Sequence, residues 1–396
     1  MRGIDVTERR ARLAQRHRLA VHARSDDPVE VARGMVALHG TDPSSVYVSS
    51  WVRMRHGDVA TMDRVLYEDR SLIRLLGMRR TVFVTSLDVA PVIQAACSRA
   101  VAARERRKLL GYLAESEVAA DEAGVRHWLA ETEKVALRAL EARGVATAAE
   151  LAGDDPRLST QVVLARGKSY EGRQNVASRL LLLLAAEGQV ARGRPRGSWT
   201  SHQYRWSPLS DWCPGGFEDW DTQEAETELA RRWLRTFGPG TAEDLGWWAG
   251  WTKTQVKRAL TRLRPVEVDL DGRTGLLLPD DMEETPEPEP WAALLPALDP
   301  TPMGWQERGW FLGDHGPRLF DRAGNIGPSL WWNGRVVGGW AQDGDGEFVC
   351  RFLEDVGAEA KAAVRTEAER LAPRLGGVRL AARTRGRTWL EEELAT

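Results

Sequence analysis

The sequence predicts an α+β protein: tandem winged-helix (helix-turn-helix) units followed by a small, mostly antiparallel β domain. Three observations carry that expectation. A helix followed by Gly-Val-Ala-Thr-Ala-Ala-Glu-Leu at 144–151, then a further apolar helix, returns as Gly-Thr-Ala-Glu-Asp-Leu at 240–245 with helices on either side. In the first copy the threonine and the glutamate three residues on form a capping box, which starts a short helix; two copies of helix, capped short helix and longer helix read as a repeated helix-turn-helix. After an acidic, proline-rich stretch at 280–290 the pattern changes to short apolar runs separated by Gly, Asn and Asp, the signature of strands joined by turns.

Taken in order, residues 7–24 form a basic helical stretch with Leu13 and Leu19 on its apolar side, and residues 28–38 continue at helical spacing. The helix is expected to end near Leu38, to turn at Gly40, and to give way to a new helix from about Asp42. The residue before a proline is driven out of the α region, so Asp42, ahead of Pro43, belongs to a turn and suits an N-cap. Residues 59–68 form another helix, 81–84 a β-branched strand, and 88–114 a long amphipathic helix bearing Arg99, Arg104, Arg106, Arg107 and Lys108. Helices follow at 131–143, 174–187 and 253–263. Residues 310–312, 330–332, 336–340 and 347–350 read as strands, 358–371 as a helix, with a last strand near Val378. The division that results is 1–120 (first winged helix), 121–220 (second, with a hairpin), 221–280 (third) and 291–396 (the β-rich domain).

Composition narrows the function classes. The 396 residues carry a net charge of −2, so any attraction to nucleic acid must come from local patches. Cys97, Cys213 and Cys350 are far apart and unpatterned, which argues against a zinc site or a disulfide framework and fits a reducing cytoplasm. The first residues hold acids and no apolar core, unlike a signal peptide, and no run is long and apolar enough to span a membrane. The seven histidines show no metal-ligand spacing, and no phosphate loop or nucleophile elbow is present; neither metal nor cofactor is expected.

Two stretches carry candidate chemistry. The first is the corner at His39, Gly40, Thr41 and Asp42, which gathers polar groups of catalytic type between two apolar segments; a C-cap glycine followed by an N-cap aspartate accounts for the same residues. The second is residues 189–209, where the wing hairpin of the second unit is expected. Arg192, Arg194, Arg196 and Arg205 lie there with Ser198, Trp199, Tyr204 and Trp206, and no acid occurs between Glu187 and Asp211. Arginine with Gly and Pro at a hairpin tip suits phosphate contact and groove insertion; a solvated basic turn is the alternative. The helix with Arg99–Lys108 and the tail with Arg379, Arg383, Arg385 and Arg387 are further basic stretches.

These residues resemble the AlkZ/YcaQ (AlkX)-type winged-helix DNA glycosylases over most of the chain. The corner with Tyr47, Trp51 and Arg53 resembles the family's Gln-apolar-Gln or Gln-apolar-Asp motif, Asp-Pro and a helix ending Trp-x-Arg. Met78-Arg79-Arg80-Thr81 resembles its Met-Arg-Gly-Thr strand entry, residues 194–199 its DNA-binding hairpin, and Gly324-Asn325 with 334–340 its C-terminal β domain. The sequence departs from the motif in having His39 and Thr41 where the family has glutamine and a second amide or carboxylate. The resemblance implies a monomeric, metal-independent enzyme that excises alkylated, cationic purines from double-stranded DNA without full base flipping. On the residues, Asp42 would stabilise positive charge on the sugar, His39 would position or deprotonate a water, and Thr41 would orient it. DNA contacts would fall on the hairpin arginines, Ser198, Trp199, Arg53, Arg79 and Arg80. A non-catalytic DNA-binding regulator is the rival class; such a protein usually needs dimer symmetry and a sensor domain, and neither a heptad seam nor a ligand motif is visible.

Overall fold

The structure is a computed structural model that describes residues 1–169, 171–380 and 387–394. The chain opens with strand β1 (Arg2–Gly3) and helices α1 (Val6–Arg16) and α2 (Pro28–Gly34), then β2 (Leu38–His39), α3 (Pro43–Val52) and α4 (Val59–Asp63), which runs on as a wider π-type turn over Arg64–Glu68. A hairpin follows, β3 (Leu72–Leu76) and β4 (Val82–Ser86), and makes a three-stranded sheet in the order β2-β4-β3. Helix α5 (Ala90–Ile93) leads through Gln94–Ser98 into α6 (Arg99–Glu115).

The next two segments share one element order. In the first, α7 (Glu122–Arg143) precedes α8 (Ala148–Asp154) and α9 (Pro156–Ser159), a small hairpin of β5 (Gln161–Leu164) and β6 (Gly172–Asn175) is inserted, and α10 (Val176–Ala186) leads to the hairpin β7 (Val190–Pro195) and β8 (Tyr204–Pro208). In the second, α11 (Thr222–Phe237), α12 (Ala242–Ala249) and α13 (Lys253–Leu263) lead to β9 (Val266–Leu270) and β10 (Arg273–Leu277). In both, a residue between the first two helices bridges the hairpin, Ala146 to Trp206 and Gly240 to Leu276. Both expected capping boxes form; the second uses Asp244 rather than a glutamate, and the other Asp244 oxygen accepts from the backbone of Gln306 and Glu307.

The C-terminal part is a four-stranded antiparallel sheet, β11 (Ala292–Leu295), β12 (Ser329–Trp332), β13 (Arg335–Gln342) and β14 (Phe348–Phe352), with α14 (Gly309–Leu312) and α15 (Gly316–Leu319) before β12 and with α16 (Gly357–Leu375) and α17 (Trp389–Leu394) after it. Residues 310–312, expected as a strand, are helical. A short apolar run does not distinguish the two, and here Trp310 and Phe311 pack edge to face while Phe311 stacks on Trp331 at 5.2 Å. Among the described residues no strand forms near Val378.

Packing crosses the expected divisions. Val101, Ala102, Leu109 and Leu113 of α6 share a core with α7, α8 and α10, so the second core begins before residue 121. β1 adds in parallel to β9, which ties the N-terminus to the third helical unit. The acidic stretch lies against α1, where Asp281 pairs with Arg12 and Arg16 and Arg2 donates to the Met282 carbonyl at 2.6 Å. One large core joins the first segment, α11–α13 and the C-terminal sheet.

Candidate active site and nucleic-acid interface

Helix α2 stops at Gly34 because Val36 takes a left-handed φ of 62°. The chain then enters the sheet, not a further helical turn: Leu38 and His39 pair with Val84 and Phe83 of β4, and the Gly40 amide donates to the Val82 carbonyl at 2.7 Å. This corrects the expected helix through Leu38. His39 is therefore a buried strand residue, its ring edge-on to Phe83 at 5.4 Å. Thr41 is exposed and Asp42 half-buried.

Asp42 is the N-cap of α3. Its carboxylate accepts from the Ser44 amide at 3.2 Å and from the Ser44 hydroxyl at 2.8 Å, while the Ser45 hydroxyl, 3.1 Å away, shares its one proton with the Ala297 carbonyl at 2.6 Å. The capping role read from Asp-Pro is thus real, and the two Ser44 donors also fix the carboxylate in place. The same carboxylate borders a cavity of about 480 Å³ closed by Pro296, Trp340, Gln342, Arg379 and Arg387. Arg383 and Arg385 of the basic tail lie outside the described residues.

Helix α3 is buried along its whole length, which fixes the fate of Arg53 at its end. Arg53 has no solvent exposure. It forms a bidentate pair with Asp299 at 2.7 and 2.8 Å and donates to Thr301 Oγ1 at 2.7 Å. The expected DNA contact at Arg53 is withdrawn: the side chain locks α3 onto the loop after β11.

The hairpin β7–β8 reaches the corner. Trp199 at its tip is 8% exposed and packs 4.9 Å from Tyr47 and 5.3 Å from Trp51, both on α3. Trp199 is an anchor between hairpin and α3 rather than a free stacking surface, which corrects its expected role. Arg194 pairs with Asp63 and Glu68 and lies 5.0 Å above the Tyr67 ring; the Tyr47 hydroxyl donates to the same Asp63 at 2.6 Å. Arg196 and Ser198 are exposed, with Glu150 3.6 Å from Arg196. Arg205 donates to the Arg194 carbonyl at 3.3 Å, and Arg192 stacks on Tyr204 and Trp206 at 5.4 and 5.1 Å. The Tyr204 phenol is held above its usual range first by burial, and Asp42 is among the charges that act on it, so corner and hairpin share one electrostatic environment.

Below Tyr204 lies Arg74 of β3, which the sequence reading missed. It is 3% exposed, sits 5.1 Å from the Tyr204 ring and has two guanidinium nitrogens with no hydrogen-bond partner among the described residues; the Tyr204 hydroxyl has none there either. Its one sequence signal is an arginine inside the apolar run Leu-Ile-Arg-Leu-Leu. Arg79 and Arg80 form the β3–β4 turn, with φ of 52° and 60°; Arg80 pairs with Glu105 at 2.6 Å, and Arg79 stacks on Trp247. Of the basic face of α6, Arg99 is paired with Asp219 and Arg106 with Glu133 and Glu187. Among the described residues no three His, Cys, Asp or Glu side chains gather as a metal site, and no helix is long and apolar enough to cross a membrane.

A family model described as DNA glycosylase AlkZ-like matches residues 32–374. The chain belongs to the AlkZ-like DNA glycosylase family. A solved structure, the Streptomyces sahachiroi DNA glycosylase AlkZ, superposes with a TM-score of 0.70 over 96% of this chain and 99% of that one at 20% identity, a likeness of fold. No curated protein matched the sequence. For an AlkZ-like DNA glycosylase the arrangement puts one capped carboxylate, a buried imidazole and an exposed hydroxyl within four residues, beside a hairpin whose Arg196 is open to solvent.

Proposed function

We propose that this DNA glycosylase hydrolyses the N-glycosidic bond of purines made cationic by alkylation at N7 or N3, acting on duplex DNA. The observation that supports the reading best is the seating of the arginine hairpin on α3, the helix that Asp42 caps, so that a duplex held by the hairpin passes the corner. An alkylated purine already carries positive charge and leaves readily. The bond breaks through an oxocarbenium-like sugar, so the enzyme's main contribution is a fixed negative charge near C1′ and a placed water. Asp42 supplies the charge. The Ser44 amide and hydroxyl hold it in one orientation, which lowers the reorganisation needed as positive charge develops. His39, when neutral, accepts a proton from the water or positions it, and Thr41 orients that water. The reaction asks for no metal and no covalent nucleophile. We further read the two repeated segments, with the first, as tandem winged helices that carry Arg192, Arg194, Arg196, Ser198, Arg205, Arg79 and Arg80 toward the DNA, and the protein as a monofunctional, monomeric, cytoplasmic enzyme, nucleoid-associated when bound. Base-excision repair, or self-protection of a producer from its own alkylating metabolite, suits such an activity.

The test is a single-turnover release assay on duplexes that carry N7-methylguanine, N3-methyladenine, bulky N7-guanine adducts, or uracil as a neutral control. Release of a cationic purine with uracil untouched supports the reading. Tight duplex binding with no release across the panel would favour the non-catalytic alternative, which the complete capping of Asp42 makes physically coherent.

A further inference from the structure

Trp247 on α12 carries two guanidinium groups. The Arg79 carbon Cζ lies 4.1 Å from its ring centroid and that of Arg308 4.6 Å; Arg308 is also 4.7 Å from the Phe320 ring and donates through Nε to the Trp305 carbonyl at 3.0 Å. Stacking fixes both side chains without neutralising either. Among the described residues no carboxylate forms an ion pair with Arg79 or Arg308, whereas the adjacent Arg80 is paired with Glu105. Burial pushes both guanidiniums down to about 10, with Arg308 repelling Arg79 and Asp244 opposing the shift of Arg308; both stay cationic at neutral pH.

The backbone is shaped to keep them there. Arg79 is held at φ 52° and ψ 26°, and the turn presses on Gly250, where a Cβ would stand 3.1 Å from the Arg79 amide nitrogen. The turn also lies at the end of the sheet where Gly40 pairs with Val82, next to the corner. Trp247 also borders a groove of about 950 Å³ whose cations are Lys253, Lys257 and Arg264, all exposed; its acids are Glu243 and Glu267. Two desolvated like charges on one ring are costly unless an anion joins them, and planar guanidinium forks match phosphate oxygens.

We propose that Arg79, Trp247 and Arg308 form a clamp for a backbone phosphate of the DNA duplex, and that Lys253 and Lys257 continue the phosphate track along α13. The third helical segment is then a second DNA-contact surface, separate from the hairpin. The inference rests on the DNA substrate of the family and not on the lesion or the corner chemistry.

The experiment is equilibrium binding of the full chain to an undamaged 24-base-pair duplex from 50 to 300 mM salt, so that no step depends on base release. The variants are Arg79→Gln with Arg308→Gln, Lys253→Gln with Lys257→Gln, and Trp247→Leu. The arginine pair is expected to weaken binding about tenfold at 100 mM salt and to reduce the slope of log K against log salt by about 1, since the one phosphate contact they share is lost. The lysine pair should lower the slope similarly and add to the first. Trp247→Leu should weaken binding while the salt slope falls, because the arginines lose their platform. A double arginine variant with wild-type affinity and slope, and unchanged thermal unfolding, overturns the clamp. Loss of affinity at an unchanged slope also overturns it, because that outcome marks a structural role. Catalytic failure of the wild type in the release assay, with the slopes as expected, leaves the clamp standing.

Discussion

Trp199 of the hairpin lies 4.9 Å from Tyr47 of α3, and through that contact the basic hairpin and the Asp42 corner become one surface. The contact is a packing one, with Trp199 8% exposed. Trp199→Ala should therefore cost about 3 kcal/mol in stability, as large-to-small aromatic changes in cores do, and Trp199→Phe clearly less. Urea unfolding measures both. If the alanine variant unfolds like wild type while DNA binding collapses, Trp199 is a base-stacking residue and the anchor assignment is wrong.

The Arg53–Asp299 pair is fully buried and joins residues 246 apart in sequence. Removing one partner strands the other charge. Arg53→Met should lose about 3–5 kcal/mol, and Arg53→Met with Asp299→Leu should recover much of it. The salt dependence of DNA binding by folded Arg53→Met should match wild type. A lowered slope would return Arg53 to the DNA interface.

His17 gives a pH dependence. Its Nε2 faces the Thr236 carbonyl at 3.2 Å and must donate to it, so Nδ1 accepts from the Thr301 hydroxyl at 2.9 Å. Burial, and then the nearby Arg53 charge, hold this imidazole well below the ordinary histidine value. The unfolded chain then takes up a proton near pH 6.5 that the folded chain refuses. Stability from this group is complete above that pH and falls as the pH drops below it, by about 1.4 kcal/mol per unit at most. Melting temperatures from pH 7.5 to 5 should fall, and His17→Gln should flatten that part of the curve. An identical curve for the variant would place the acid sensitivity elsewhere.

Much of the local grammar was legible in the chain. The Asp42 cap, the threonine capping boxes, the hairpin of 190–208 and three of the four C-terminal strands were readable because each depends on neighbours within a few residues. The errors share a cause. β2 is two residues long and exists because β4 pairs with it, which no local pattern encodes. Arg53 and Trp199 look like DNA-facing residues in sequence, and only the fold supplies Asp299 and Tyr47 to bury them. Arg308 drew no notice because its meaning depends on Trp247, 61 positions away, and on Arg79. The α+β class and the family were thus readable, whereas which cation is paired and which is free required the packed molecule.

The most direct measurement is single-turnover release of N7-methylguanine by wild type, Asp42→Asn and Asp42→Ala, with unfolding measured on the same samples. Asparagine caps helices about as well as aspartate, and alanine loses about 1 kcal/mol of cap. A charge-based role predicts that Asn keeps stability and duplex binding but loses release by 100-fold or more, about 2.7 kcal/mol of transition-state stabilisation. Asn releasing base at the wild-type rate, with only Ala impaired and destabilised, would make Asp42 a helix cap alone and contradict the proposed chemistry.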